Sequence, residues 1–218
     1  RGTDDLLSNN YSVLRAKRRI INENSDAGFL LTNNIDRNGK YNTVYGFDTQ
    51  IKVYKNDYFS AKFAQSFTDG VESKLLSGDP TMFFLSLSRR PQKGFNYGLS
   101  LSRLGNDFDS NLGFIERENY LRFGTRLEYK IFPGSSSRIL THGIRLRGVS
   151  YWENTNNTYN SAFYGLGYSW QMKNGSKLEL GTRIQFDDIT KEFDLADIVI
   201  IPKGAYFYQS YEIEFSTQ

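Results

Sequence analysis

Residues 103–120, RLGNDFDSNLGFIERENY, crowd Asp107, Asp109, Asn111, Glu116 and Glu118 between two runs of alternating hydrophobicity. Side chains of this kind at this spacing suggest two chemistries. Asp107, Asp109 and Asn111, followed by Glu118 at the twelfth position, imitate a calcium loop in which carboxylate oxygens and a final bidentate Glu surround the cation. The sixth position, however, is Leu112 rather than glycine, Gly113 comes one residue late, and no helical pattern flanks the stretch. Glu116 and Glu118 have the residue types of a glycosidase acid and base, but such a pair stands roughly 5–9 Å apart across a cleft, which neighbours on one connection do not establish. The stretch therefore reads first as a polar connection whose carboxylates are solvated or paired with Arg103 and Arg117. The single histidine, His142 in ILTHGIRL, has no Ser, Cys or second His at a usable spacing, and falls beside Leu140 and Ile144 on an apolar face. GYSWQ (167–171) lacks the trailing glycine of a nucleophile elbow. Asp187, Asp188, Glu192, Asp194 and Asp197 form an acidic stretch that could hold a cation and reads by default as solvated. No phosphate-binding glycine fingerprint follows a strand and opens a helix. The expectation is no catalytic residue, no cofactor and no metal site.

The elements that position these residues are runs of period-two alternation. In 44–54, Tyr45, Phe47, Thr49, Ile51 and Val53 share one face, with Asp48, Gln50 and Lys52 on the other. In 58–68, Phe59, Ala61, Phe63 and Phe67 oppose Ser60, Lys62, Ala64 and Ser66. Runs at 82–90 (apolar Phe83, Leu85, Leu87; polar Arg90) and 95–103 (apolar Phe95, Tyr97, Leu99, Leu101) follow. In 120–132, Leu121, Phe123, Leu127, Tyr129 and Ile131 oppose Arg122, Arg126, Glu128 and Lys130. In 140–148, Leu140, Ile144 and Leu146 oppose Arg145 and Arg147; in 162–172, Tyr164, Leu166, Tyr168 and Trp170 oppose Gly165, Gly167, Ser169 and Gln171. In 177–187, Leu178, Leu180, Ile184 and Phe186 oppose Lys177, Glu179, Arg183, Gln185 and Asp187, and near the end Tyr211, Ile213 and Phe215 oppose Ser210, Glu212 and Glu214. With less regular runs at 11–22 and 26–35 the count reaches about eleven strands.

Both a soluble sandwich and a membrane barrel alternate, but a sandwich strand is typically about 5–6 residues long. Most runs here are longer, near the ~9–11 residues that a tilted strand needs to cross a bilayer. Tyr45, Phe59, Phe95, Tyr164 and Trp170 lie near run ends, as interfacial aromatic girdles do. Connections alternate between short (55–57, 90–94, 133–137, 173–175) and long (70–80, 105–118, 152–160, 188–203), the pattern of a barrel with tight turns at one rim. Asn174-Gly175 predicts a type I′ turn. All four prolines fall in connections, where none interrupts a ladder. The charged set Lys52, Lys62, Arg122, Arg126, Glu128, Lys130, Arg145, Arg147, Lys177, Glu179, Arg183, Glu212 and Glu214 is then expected to face the lumen. On the lipid face an Arg or Lys at mid-bilayer costs roughly 2–4 kcal/mol. The fold class expected is an all-β, antiparallel, up-and-down transmembrane β-barrel. It contributes eleven or twelve strands over 1–218, as a single barrel domain or a fragment of a larger barrel, since about eleven is odd and the end EIEFSTQ lacks a terminal aromatic.

Composition is consistent with that architecture and excludes others. The chain has 218 residues, mean hydropathy −0.54, 16% aromatics, no cysteine and a net charge of +3. No apolar run is long enough for a helical span. Absent cysteine excludes a disulfide scaffold and a thiolate zinc site. The charge is too small and too dispersed for a nucleic-acid footprint; the one basic cluster, Arg15–Arg19, reads as a polar strand face. The start, RGTDDLLSNN, lacks the basic-then-apolar pattern of a signal peptide.

SNNYSVLRAKRRI, SDAGFLLTN, VYGFD and above all GNDFDSNLGFIERENY resemble the C-terminal barrel region of a Bacteroidota outer-membrane protein family of unknown function. Its recurring DF…GF..R..Y segment reads here as Asp107, Phe108, Gly113, Phe114, Arg117 and Tyr120. Members of that family usually begin with a domain similar to family-nine carbohydrate-binding modules, which this chain does not contain. The resemblance implies outer-membrane location, the lipid bilayer as partner, and contact with other outer-membrane components or glycan; it implies no catalytic residue. Two readings follow: a membrane barrel for transport, channel or anchoring duty, and a surface β-protein that binds or processes carbohydrate.

Overall fold

Every alternating run forms a strand, because residues of period two and high β-branched and aromatic content satisfy the pleat. The structure is a computed structural model describing residues 9–195 and 199–217. The strands are β1 (Asn9–Arg19), β2 (Asp26–Asp36), β3 (Tyr41–Tyr54), β4 (Asp57–Thr68), β5 (Thr81–Arg89), β6 (Gly94–Leu104), β7 (Tyr120–Ile131), β8 (Ile139–Glu153), β9 (Tyr159–Met172), β10 (Lys177–Ile189), β11 (Phe193–Leu195), β12 (Val199–Ile201) and β13 (Gly204–Ser216). The chain is all-β. Eleven strands form one antiparallel sheet in the order β1 to β10 and then β13, while β11 and β12 make a separate two-stranded hairpin. The sheet is not closed: β1 and β13 are its edges. The hairpin was not expected from the sequence, where 188–203 reads as an acidic connection.

The chain divides into two compact units, Arg1–Ser86 with Ser102–Leu121, and Leu87–Leu101 with Arg122–Gln218. In the first, β1 to β4 pair in a register broken only by an irregularity between Lys52 and Tyr54, so that Thr32, Val44 and Ser66 share a face with Val13. The small core lies on that same face: Val44, Leu104 and Phe108, with Ala64, Met82, Ile115 and Tyr120 packed against it. In the second unit, β8, β9, β10 and β13 pair so that Arg145, Gly167, Gly181 and Glu212 form one cross-strand row, and Arg147, Gly165, Arg183 and Ser210 the next.

Three expectations change. The connections from residue 55 onward are 55–56, 69–80, 90–93, 105–119, 132–138, 154–158, 173–176 and 190–203. Strict short–long alternation therefore fails at 132–138 and 154–158, because β8 and β9 run on through residues that the sequence pattern left to the loop. The turn after β9 is not type I′. Gly175 alone of the pair takes a left-handed φ, 90°; its N–H donates to Met172 O and the Asn174 side chain accepts from Ser176 N, as in a three-residue hairpin loop with glycine in the left-handed position. Finally, Tyr45 and Tyr164 lie well inside β3 and β9 and not at their ends, whereas Phe59, Phe95 and Trp170 do lie near strand ends.

Candidate functional site

The sheet is inverted relative to a water-soluble one. In the first unit the polar face buries Ser66 to 1% exposure, with Asn42 and Val44 also buried, while the apolar face leaves Phe47 53% exposed. In the second unit Glu128 on the polar face is 4% exposed, whereas Leu140, Ile144, Leu146, Tyr164 and Leu166 on the apolar face are all open. Among the described residues the apolar face also carries polar side chains, Arg18 and Asn33 in the first unit and Gln209 in the second; the fully buried one is Gln65. The 69–80 connection covers it: its side chain accepts from Tyr45 OH and Leu76 N and donates to Lys74 O, so every polar group there is satisfied.

Charge on the polar face is organised by register. In the first unit Arg15 reaches across Gly28, where a side chain would collide with the guanidinium, to donate to Asp48. Lys17 pairs with Asp26 at 3.0 Å, and Lys62 lies over the Phe84 ring. The backbone of Lys52 is held at its N–H by Ser25 Oγ and at its carbonyl by Asn22. Arg15 and Lys17, Asp26, and Asp48 lie apart in the sequence, on β1, β2 and β3, and become a charge cluster only once β1 is registered on β2 and β2 on β3.

The second unit holds the larger network. Glu128 sits among Arg126 (3.4 Å), Lys130 (3.6 Å) and Arg145 (3.3 Å). Arg145 also donates to Glu179 at 3.2 Å, and Glu179 pairs with Lys177 at 2.8 Å. Arg183 pairs with Glu212 at 2.9 Å, and Arg122 donates to Tyr151 OH and Ser100 Oγ. Glu214 stands directly opposite Glu179 in the β10–β13 register, a like-charge pair. Thus in this unit eleven expected side chains, from Arg122 to Glu214, belong to one polar face, while Lys52 and Lys62 belong to the polar face of the other.

The 105–118 connection folds back onto the polar face of the first unit. Asn42 donates to Asp109 O and accepts from Asn111 N, and Ser66 Oγ accepts from Asp109 N. Asp107 N donates to Asp79 O, and Phe108 is buried against Val44 and Leu104. The segment is held by its backbone, and its carboxylates are not gathered: among the described residues no group of three or more His, Cys, Asp or Glu could hold a metal ion. Glu116 and Glu118 are exposed on the connection. Arg103 donates to Gly78 O at 2.7 Å and lies 3.9 Å from Asp79. Of the resemblance segment, Phe108 and Tyr120 pack into the core, Gly113 N donates to Ser110 O, and Phe114 is 91% exposed.

On the apolar face of the second unit, His142 shares a hydrogen bond with Tyr168 OH and stacks on its ring, opposite Trp170 in register. At the other end of those strands Tyr159 packs between Trp152 and Phe186. Asp187 accepts from Tyr208 OH; Asp194 lies in β11, and Asp197 lies outside the described residues. Among the described residues no helix is long and apolar enough to cross a membrane, which says nothing of strands. Comparison of the chain with protein-family models, with curated proteins and with solved structures finds no match.

Proposed function

We propose that the chain builds part of the wall of a bacterial outer-membrane β-barrel that serves solute passage or membrane anchoring and performs no catalysis of its own. Membership of the Bacteroidota family that the 105–120 segment resembles is part of this reading. The observation that carries it is the inversion of the sheet, with polar side chains buried on one face and Phe47, Ile144 and Leu166 open on the other. In water each large apolar side chain left open forgoes roughly 1.5–3 kcal/mol of burial, whereas in lipid the same face is in its preferred solvent. Strands longer than a typical soluble strand, with backbone groups satisfied in the ladder, meet the requirement that hydrocarbon imposes on any spanning segment. The unpaired groups along β1 and β13 do not meet it, so the reading includes closure of the ladder by pairing beyond those two edges. The polar face then lines the interior, and the bilayer is the first partner, with other outer-membrane components or glycan reached through the connections.

The test is fractionation of the protein expressed in a host with an outer membrane. The expected result is recovery in the outer-membrane fraction, a requirement for detergent, and a folded band whose gel mobility changes on heating. Recovery as a stable monomer without detergent overturns the reading.

A further inference from the structure

The polar face of the second unit contains a recess of about 270 Å³. Its floor is bare backbone, because Gly167 and Gly181 pair across β9 and β10 and Gly165 lies two residues along β9 on the same face. A Cβ at Gly165 would approach nothing closer than Thr182 O at 3.6 Å, so the space above it is open. Arg147 and Arg183 stand on either side of Gly165 in the same row across β8, β9 and β10. Two strand spacings separate them, about 10 Å, a gap that two arginine side chains can close on an object lying between them.

Their existing partners differ. Arg183 pairs with Glu212 at 2.9 Å and lies over the Phe163 ring. Arg145, in the next row, is engaged by both Glu128 and Glu179. Arg147 makes no ion pair within 4.0 Å and no hydrogen bond among the described residues, its charge acting only at longer range on Glu179, which also lines the recess. Its guanidinium therefore has its full set of donors in hand, and a planar fork of this kind matches the paired oxygens of a carboxylate or phosphate.

We propose that the recess is a binding site for a small solute bearing a carboxylate or phosphate group, held between Arg147 and Arg183 above Gly165. Glu212 beside Arg183 offers an acceptor for a hydroxyl on the same solute, which favours a hydroxylated anion over a bare halide. The inference deepens the solute-passage reading by naming the solute's chemistry, and rests on it for the recess being a station on a path. Binding itself is a local property of β8–β10 and is measured without a membrane.

The experiment is isothermal titration of the full chain, folded in detergent micelles, with citrate, inorganic phosphate and chloride. Citrate or phosphate is expected to bind with chloride silent. Arg147→Gln is expected to weaken binding at least tenfold. Gly165→Val, which fills the floor and leaves both arginines in place, is expected to abolish it with the strand signal in circular dichroism unchanged. Arg37→Gln, which removes the same charge from a turn, is expected to bind like the parent. Absence of binding by the parent, parent-like affinity in Arg147→Gln or Gly165→Val, or an equal loss in Arg37→Gln overturns the site. Should the protein prove soluble without detergent, the same titration in buffer still decides the recess while the barrel reading fails separately.

Discussion

Glu128 is the acid on which the second unit's polar face is centred, nearly inaccessible and within 3.6 Å of Arg126, Lys130 and Arg145. Its removal takes the shared acid from Arg126 and Lys130 and leaves Arg145 with Glu179 alone. The cations themselves keep contact with solvent, with side chains 62%, 41% and 26% exposed, so the cost falls below that of a fully buried pair. Glu128→Ala is expected to destabilise by about 1–3 kcal/mol, in the range for stranding partners of a charged hydrogen bond, read as the shift of the urea midpoint of the detergent-folded protein. Glu214 is the contrast. It is exposed and faces Glu179 across the ladder, and like charges directly opposite are unfavourable. Glu214→Gln is therefore expected to leave stability unchanged or raise it by a few tenths of a kcal/mol. A loss comparable to that of Glu128→Ala shows that the two acids are equally structural and rejects the distinction. The face to which each acid belongs was readable in the sequence from its parity. The difference between them was not, because it arises from which cations β7, β8 and β10 bring alongside, and that depends on register.

At the scale of elements, the 105–118 connection departs most from its sequence reading. Its polarity suggested solvent, and its boundaries at Leu104 and near Asn119 were legible, but the direction in which it folds was not. Asn42 and Ser66, which hold it, look like ordinary polar positions of β3 and β4, and nothing local in the chain marks them as docking points some 40–70 residues upstream. Phe108 and Phe114 illustrate the limit: both are aromatic residues of the same segment, yet one is buried in the core and the other is 91% exposed. Phe108→Ala is expected to cost about 2–4 kcal/mol, somewhat below the full Phe→Ala range because the core around it is small, whereas Phe114→Ala should stay within about 0.5 kcal/mol; chemical denaturation of the two variants compares them directly. Asn42→Ala, by freeing the backbone of 109 and 111, should leave the strands intact and raise the rate of proteolytic cleavage within 105–118. An unchanged cleavage rate implies that Ser66 and Phe108 suffice to hold the segment. Glycines on β8 and β9 give a second contrast. A Cβ at Gly143 would lie 2.2 Å from Tyr129 O, a backbone atom that a rotamer change does not move, while at Gly165 there is room. Gly143→Ala should therefore destabilise by about 1–3 kcal/mol and Gly165→Ala by far less.

For the molecule as a whole, the sequence carried the architecture further than any site, and for a physical reason. Period-two alternation is imposed residue by residue, and all eleven strands of the main sheet follow runs visible in the chain. Whether the ladder closes depends on pairing between edges, which no alternation encodes. What surrounds the apolar face is likewise a property of solvent, and one substitution separates the possibilities. Leu166 lies near the middle of β9, 46% exposed, flanked in register by Leu146 and Thr182 on the same face. In a sheet bathed by water, Leu166→Arg adds a charge to an already solvated position and should change stability by no more than about 0.5 kcal/mol. In a sheet whose apolar face meets hydrocarbon, the same arginine sits near the bilayer midplane and should cost roughly 2–4 kcal/mol. Arg147→Leu supplies the reciprocal: it alters the polar face and carries no such lipid penalty. Reversible folding of parent and variants into phospholipid vesicles, followed by the emission of Trp152 and Trp170, gives the difference. A Leu166→Arg penalty that is present in vesicles and shrinks in short-chain detergent, where the polar headgroups lie closer to the chain, is the signature of a membrane-facing wall; equal stabilities in both solvents place that face in water.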